Sequence, residues 1–167
     1  MPLHLYLLRH AQSAEKQIGQ PDKERDLTSR GLKDSLIIGD YLKKHFFQVD
    51  QIVSSTAARA LETSRLIING LKIDPDKITE EDELYEASTR TFLEVINNFD
   101  DGFQNILCVG HNPVISYLAE YITKSEIGSM ETAGLAIIKL NIKSWKEVSQ
   151  GNGELITYIS PELLSVE

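Results

Sequence analysis

Apolar positions fall into two rhythms along this chain, and the rhythms alternate. Leu3 to Leu8 is a short apolar run, the pattern of a strand buried on both faces. Gln12 to Asp26 is polar, contains Gly19 and Pro21, and reads as a loop. The spacing then turns helical: Leu32, Leu36, Gly39, Leu42 and Phe46 fall in register. Thr28 stands where an N-cap belongs, and Leu27 is placed to staple onto Leu32. Gln51 to Ser54 predicts a second strand. Thr56 to Asn69 predicts a helix with Ala60, Ser64, Ile67 and Ile68 on one face and Gly70 as its stop.

The alternation continues in the second half. Asp74-Pro75-Asp76 is a turn, and Lys77 to Glu80 a weaker third strand. Ser88 opens a helix carrying Phe92, Val95, Ile96 and Phe99, closed by Asp100-Asp101-Gly102. Ile106 to Val109 is the clearest buried strand. Asn112-Pro113 reads as an N-cap with proline at the first helical position, leading into Val114, Ile115, Leu118 and Ile122. Two more strands, Leu135 to Leu140 and Leu155 to Ile159, flank a loop with Gly151-Asn152-Gly153. Strand and helix in turn predict a three-layer α/β/α sandwich. The sheet should be mostly parallel, and the two consecutive last strands permit one antiparallel edge strand.

Composition narrows the picture. With 167 residues, one core and a single domain over residues 1–167 are expected. A net charge of −8 argues against non-specific binding to nucleic acid or an anionic membrane, since both need a positive field. It still allows a local cationic pocket. The single Cys108 excludes an internal disulfide, and its apolar setting predicts a buried, inert thiol. The first ten residues lack the basic region and long apolar core of a signal peptide, and no run approaches the roughly 18 apolar residues of a membrane span. A cytoplasmic protein is the expectation.

Candidate chemistry gathers at strand ends. The first strand runs into Arg9 and His10. The second ends at Ser54-Ser55-Thr56, with Arg59 one turn into the next helix. The fourth ends at Gly110-His111-Asn112. Taken singly, each has a plain reading: Arg9-His10 as the first solvated loop residues, Arg59 as a solvated helix residue, His111 as a capping or surface group. His4, inside a strand, and His45, near a helix C-terminus that welcomes a cation, read as structural. What sets the four apart is that parallel sheets place ligands beyond the carboxyl ends of their strands. Two arginines, two histidines and two helix N-termini on one edge make an anion site, because guanidinium forks and helix-terminal amides both match phosphate oxygens. No carboxylate pair or His/Cys cluster has metal-ligand spacing, so neither metal nor cofactor is expected.

These blocks resemble the histidine phosphatase, or phosphoglycerate mutase-like, superfamily. Leu8-Arg9-His10-Ala11-Gln12-Ser13 is similar to its Arg-His-Gly signature, with Ala11 in place of glycine. Asp26-Leu27-Thr28-Ser29-Arg30-Gly31 is similar to its Asp-x-Leu-Thr-x-x-Gly element. Ser54 to Thr63 resembles Ser-Ser-Pro-x-x-Arg-Ala-x-x-Thr, with Thr56 for proline, and Val109 to Pro113 matches the Gly-His block. Compact length and Thr132-Ala133-Gly134-Leu135-Ala136 are most similar to the SixA branch, whose members act as phosphohistidine phosphatases.

The resemblance implies a phosphoglycerate mutase-like fold and His10 as nucleophile. Arg9, Arg59 and His111 would hold the phosphoryl group, joined by Ser13 and Ala133. The stretch corresponding to the superfamily's general acid is Leu84-Tyr85-Glu86-Ala87-Ser88, without the usual glycine. Glu86 is the candidate acid and Glu83 a poorer one, a solvated surface carboxylate being the plainer reading of either. The expected partner is a phosphohistidine-bearing protein. A small phosphorylated metabolite and a non-catalytic phosphate-binding module are the two alternatives.

Overall fold

A computed structural model describes residues 1–166; the last residue of the expected domain, Glu167, lies outside the described residues. Six strands form one sheet: β1 (Leu3–Arg9), β2 (Gln51–Ser54), β3 (Ile78–Glu80), β4 (Asn105–Gly110), β5 (Leu135–Leu140) and β6 (Gly153–Ile159). Their spatial order is β3-β2-β4-β1-β5-β6. Five helices accompany them: α1 (Ser29–Lys44), α2 (Ala58–Gly70), α3 (Thr89–Asn97), α4 (Val114–Thr123) and the short α5 (Pro161–Leu164).

Alternation along the strands separates two cores. Leu3, Leu5 and Leu7 of β1 join Ile106 and Cys108 of β4 beneath Phe92 and Ile96 of α3 and Ile115 and Leu118 of α4. Tyr6 and Leu8, with Leu107 and Val109, face the other way onto Ile38 and Leu42 of α1 and Ile67 and Ile68 of α2. A strand buried on both faces needs apolar residues at successive positions, which is why β1 and β4 read as unbroken runs. Cys108 is fully buried, and that burial pushes its thiol pKa up, so the thiolate is suppressed.

The sheet is mostly parallel with one reversed strand, but that strand is not the edge. β5 runs antiparallel to both β1 and β6, so it lies one place inside and β6 closes the sheet. β5 and β6 are consecutive, joined by residues 141–152 with a 3-10 turn over Trp145–Glu147, and pair antiparallel, so the second returns to the common direction.

Three local readings are corrected. In α1 the buried face is Gly31, Asp34, Ser35, Ile38, Gly39 and Leu42. Leu32, Leu36 and Phe46 are 39%, 51% and 90% exposed. Small residues set this face because α2 approaches closely: a Cβ on Gly39 would stand 3.5 Å from the Ile67 Cα. The stop of α2 is Lys72, left-handed at φ 57°, while Gly70 is still helical. Asn112 does not cap α4; Pro113 holds that position without a side-chain bond, and Asn112 serves the site instead. The other caps stand as read, with Thr28 accepting from the Gly31 N–H and Ser88 from the Thr91 N–H. His4 Nδ1 meets Asn105 Oδ1 at 3.1 Å, and the ring of His45, the C-cap of α1, lies 4.3 Å from that of Tyr41.

β1 and β4 are neighbours whose following helices lie on opposite faces, α1 on one and α4 on the other. A crevice opens where such connections diverge. Arg9, His10 and His111 stand at its mouth.

Candidate active site

Gln12 to Asp26 departs from β1 and returns beside it. Gln12 O accepts from the Thr28 N–H at 3.0 Å, Ala14 N–H donates to Asp26 O at 2.8 Å, and the Thr28 hydroxyl donates to Gln12 Oε1 at 2.8 Å. Gly31 is required here because a Cβ would collide with the Gln12 carbonyl. This loop forms one wall of a pocket of about 490 Å³ lined by Arg9, His10, Gln12, Ser13, Asp22, Arg25, Arg59, Tyr85, Glu86, His111, Asn112 and Thr132. A larger groove of about 840 Å³ lies between α2 and the β3 edge, away from all of these histidines. Convergent polar groups, not size, mark the site.

The two histidine rings are 5.0 Å apart, centre to centre, and tilted by 55°. His10 Nδ1 lies 2.7 Å from the Ala11 carbonyl. A carbonyl can only accept, so Nδ1 carries the proton and Nε2 keeps its lone pair. Burial pushes the His10 pKa down to about 3; the Ala11 bond opposes this, while His111, Arg59 and Arg9 add to it. Burial also lowers His111 to about 4, with Arg59 reinforcing and Asp22 opposing. His111 Nε2 meets Ser55 Oγ at 2.7 Å, and Ser55 Oγ accepts from the Ala57 N–H at 3.2 Å.

Both imidazoles are therefore neutral at physiological pH in the unliganded protein. Neither should titrate between about pH 5 and 8 when followed by NMR, and a step near 6.5 from either ring would overturn that assignment. Because both folded values lie below the unfolded 6.5, the stability these neutral rings contribute is complete above 6.5. It is lost as pH falls from there toward about 3 for His10 and about 4 for His111. The unfolding midpoint should decline on the acid side of 6.5.

The arginines are held from behind. Arg9 Nη1 donates to the Met130 carbonyl at 2.8 Å, which also accepts from Asn112 Nδ2 at 2.9 Å. Arg59, on the first turn of α2, donates from Nη1 to Asp22 O at 2.9 Å and from Nη2 to Asp22 Oδ2 at 3.0 Å. The Nε atoms of Arg9 and Arg59 are buried without a partner. Two unpaired guanidinium N–H groups beside a pocket are costly unless an anion answers them.

Not every expected residue comes to the pocket. Ala133 does not line it: it is fully buried, left-handed at φ 58°, and its N–H donates to the His10 carbonyl at 3.1 Å. The neighbouring Thr132 lines the pocket in its place. Ser13 does line it, bridged to Leu27. Glu86 lines it as an exposed side chain, whereas Glu83 borders a separate groove with Glu81 and Glu94. Apart from Arg59, no residue of α2 or α4 lines the pocket, so the helix ends contribute field rather than hydrogen bonds. Asp22, Ser55, Tyr85 and Met130 were not singled out in sequence; the Ser-Ser element contained Ser55 and the candidate-acid stretch contained Tyr85, but nothing local signalled the other two. Among the described residues no group of three or more His, Cys, Asp or Glu is disposed to hold a metal ion, and no helix is long and apolar enough to cross a membrane.

Comparison with known proteins bears on the family and the fold. The family model for the histidine phosphatase superfamily (branch 1) matches residues 5–101. An uncharacterized protein of Mycobacterium tuberculosis (strain ATCC 25618 / H37Rv) is 31% identical over 164 residues, covering 92% of this chain and 99% of its own length. The phosphohistidine phosphatase SixA homolog of Haemophilus influenzae is 25% identical over 126 residues, 68% of this chain and 73% of that protein. Among solved structures, the putative phosphohistidine phosphatase SixA from Agrobacterium tumefaciens superposes with a TM-score of 0.79 at 30% identity, over 96% of this chain and 99% of that one. The six-stranded mixed sheet is thus the phosphoglycerate mutase-like α/β fold.

Proposed function

The chain belongs to the histidine phosphatase superfamily, and from that footing we propose that it removes the phosphoryl group from phosphohistidine on a protein through a phospho-His10 intermediate. One observation carries the reading: His10 Nε2 keeps its lone pair in a pocket flanked by two guanidinium groups with unpaired Nε atoms. A neutral imidazole between fixed cations is poised to attack an anion and not to be protonated by its surroundings.

In the first step the His10 Nε2 lone pair forms a bond to phosphorus in line with the leaving nitrogen. The substrate ring takes a proton from solvent on its other nitrogen, so the P–N bond breaks with its electron pair left on a neutral imidazole. Arg9 and Arg59 hold the equatorial oxygens. His111 supplies a further hydrogen bond, and a dianion against it shifts its pKa upward, since an adjacent anion favours the charged imidazole. In the second step water attacks phospho-His10, the P–Nε2 bond breaks, and inorganic phosphate leaves as His10 returns to its neutral form. No step calls for a metal, because the positive charge is supplied by side chains.

The substrate preference rests on leaving-group chemistry. Imidazole leaves readily, its conjugate acid having a pKa of about 6.5, whereas an alkoxide needs a proton from a well-placed acid. Glu86 is exposed at the pocket's rim. Turnover on a phosphohistidine protein, sugar phosphates, phosphoserine peptides and an aryl phosphate tests the reading, with the highest kcat/KM expected on the first. Glu86→Gln should cost less than about tenfold there. The alternative, a phosphatase for small phosphomonoesters, is favoured by Glu86 lining the pocket at all. A sugar phosphate as best substrate, or a loss of several orders of magnitude on both substrates in Glu86→Gln, would establish it instead.

A further inference from the structure

Asp22 is a carboxylate in a pocket built for an anion. It belongs to a 3-10 turn over Asp22–Glu24, in the loop that walls the site. Its carbonyl and its Oδ2 each accept from a different terminal nitrogen of Arg59, its Oδ2 also accepts from the Tyr85 hydroxyl at 2.7 Å, and its Oδ1 accepts from Arg25 Nε at 2.9 Å. The turn is tied across the pocket by Lys23, which pairs with Asp82 at 2.6 Å and lies 5.4 Å from the centre of the Tyr85 ring. Tyr85 and Arg59 together hold the Asp22 carboxyl well below its ordinary pKa, so it is ionised wherever the enzyme works.

A guanidinium has five N–H groups. Asp22 uses one on each terminal nitrogen and leaves Nε alone, and Nε is the Arg59 atom buried without a partner. That leaves Nε and the second hydrogen of each terminal nitrogen without a bond to Asp22. We propose that Asp22 is the positioning residue of the phosphoryl site: it fixes Arg59 by its terminal nitrogens so that the Nε edge is presented to the phosphoryl oxygens, with Tyr85 anchoring the carboxylate. The proposal rests on Arg59 being a phosphoryl ligand, as in the function proposed above. A carboxylate that merely balanced charge would need neither the two-point grip nor the tyrosine.

Position and charge are separated by two variants. With its amide oxygen in the Oδ2 position, Asp22→Asn still accepts from Arg59 and Tyr85, gives up the Arg25 bond and removes the charge. Asp22→Ala leaves only the backbone carbonyl. Asp22 is 45% exposed in a surface loop, so both variants are expected to fold, checked by thermal unfolding. On an aryl phosphate, kcat for Asp22→Asn should stay within about threefold of wild type, and Asp22→Ala should lose about tenfold or more, carried in kcat. In an Arg59→Ala background, Asp22→Ala should cost nothing further. Tyr85→Phe should shift activity in the same direction by less, again without adding to Asp22→Ala.

Full activity in Asp22→Ala, equal losses in the Asn and Ala variants, or additivity with Arg59→Ala would each overturn the proposal. Inorganic phosphate binding by calorimetry keeps the proposal testable apart from turnover. If the wild type turns over no phosphorylated substrate, the functional reading fails. Phosphate affinity should then still fall in Asp22→Ala and hold in Asp22→Asn, and the reverse order sinks the positioning role.

Discussion

Replacing His10 with alanine is expected to lower turnover by on the order of 10⁴-fold or more on every substrate, about 5 kcal/mol of barrier. In the proposed role His10 cannot be substituted by a neighbour. The His111 ring is 5.0 Å away, with Nε2 engaged by Ser55, and no other imidazole lines the pocket. The fold should survive, because His10 lies just beyond the end of β1 and its backbone bonds remain available to alanine. The variant should also lose less stability than wild type as pH drops below 6.5, since it removes one buried imidazole that must acquire a proton on unfolding. Rapid mixing with substrate and an acid-free quench should place phosphate on His10 of the wild type by mass spectrometry. Phosphate at another residue, or turnover of the alanine variant within tenfold of wild type, would remove His10 from the role.

Arg59→Ala carries the second largest effect, an expected loss of about 10² to 10³ in kcat, or roughly 3–4 kcal/mol of transition-state stabilisation. Two consequences combine. The phosphoryl oxygens lose a preorganised fork, and Asp22 loses one of its two arginine partners, keeping Arg25 and Tyr85 at the pocket wall. Arg59→Lys should recover less than tenfold of the loss, since an ammonium can answer either Asp22 or a phosphoryl oxygen but lacks the planar edge that does both at once. Binding of inorganic phosphate should weaken in both variants. A lysine variant as active as wild type would mean that charge alone matters at this position.

The four residues brought together here were legible because of where they interrupt hydrophobic runs. β1 and β4 are apolar until Arg9-His10 and His111, and α2 has a polar Arg59 on a face otherwise made of Ala60, Ser64 and Ile67. Strand ends are readable from a one-dimensional pattern, and parallel topology converts shared ends into shared space. Asp22 and Tyr85 were not legible. Their partners lie 37 and 63 positions away in sequence, and a carboxylate in a polar loop looks like solvent-facing filler until the fold closes. The face of α1 was misread for a related reason: Leu32 and Leu36 compete with Ile38 and Leu42 for the same periodicity, and only the close approach of α2 at Gly39 decides between them. The place of β5 in the sheet was equally hidden, since a six-residue apolar run encodes burial but not direction.

β1 is flanked on both sides, by β4 and by β5. The backbone at its end is held likewise: Arg9 N–H donates to Gly134, His10 N–H to Gly110, and the His10 carbonyl accepts from Ala133. Opening motions in proteins are drawn from the least protected segments, and a doubly paired central strand is among the last to exchange its amides. The loop over residues 12–26 has no such ladder. The pocket accordingly divides into a half that carries His10 at the end of a doubly paired strand and a half whose wall is held by the contacts of Asp22, Lys23 and Thr28. Local opening of the wall would release Asp22 from Arg59 while leaving His10 aligned.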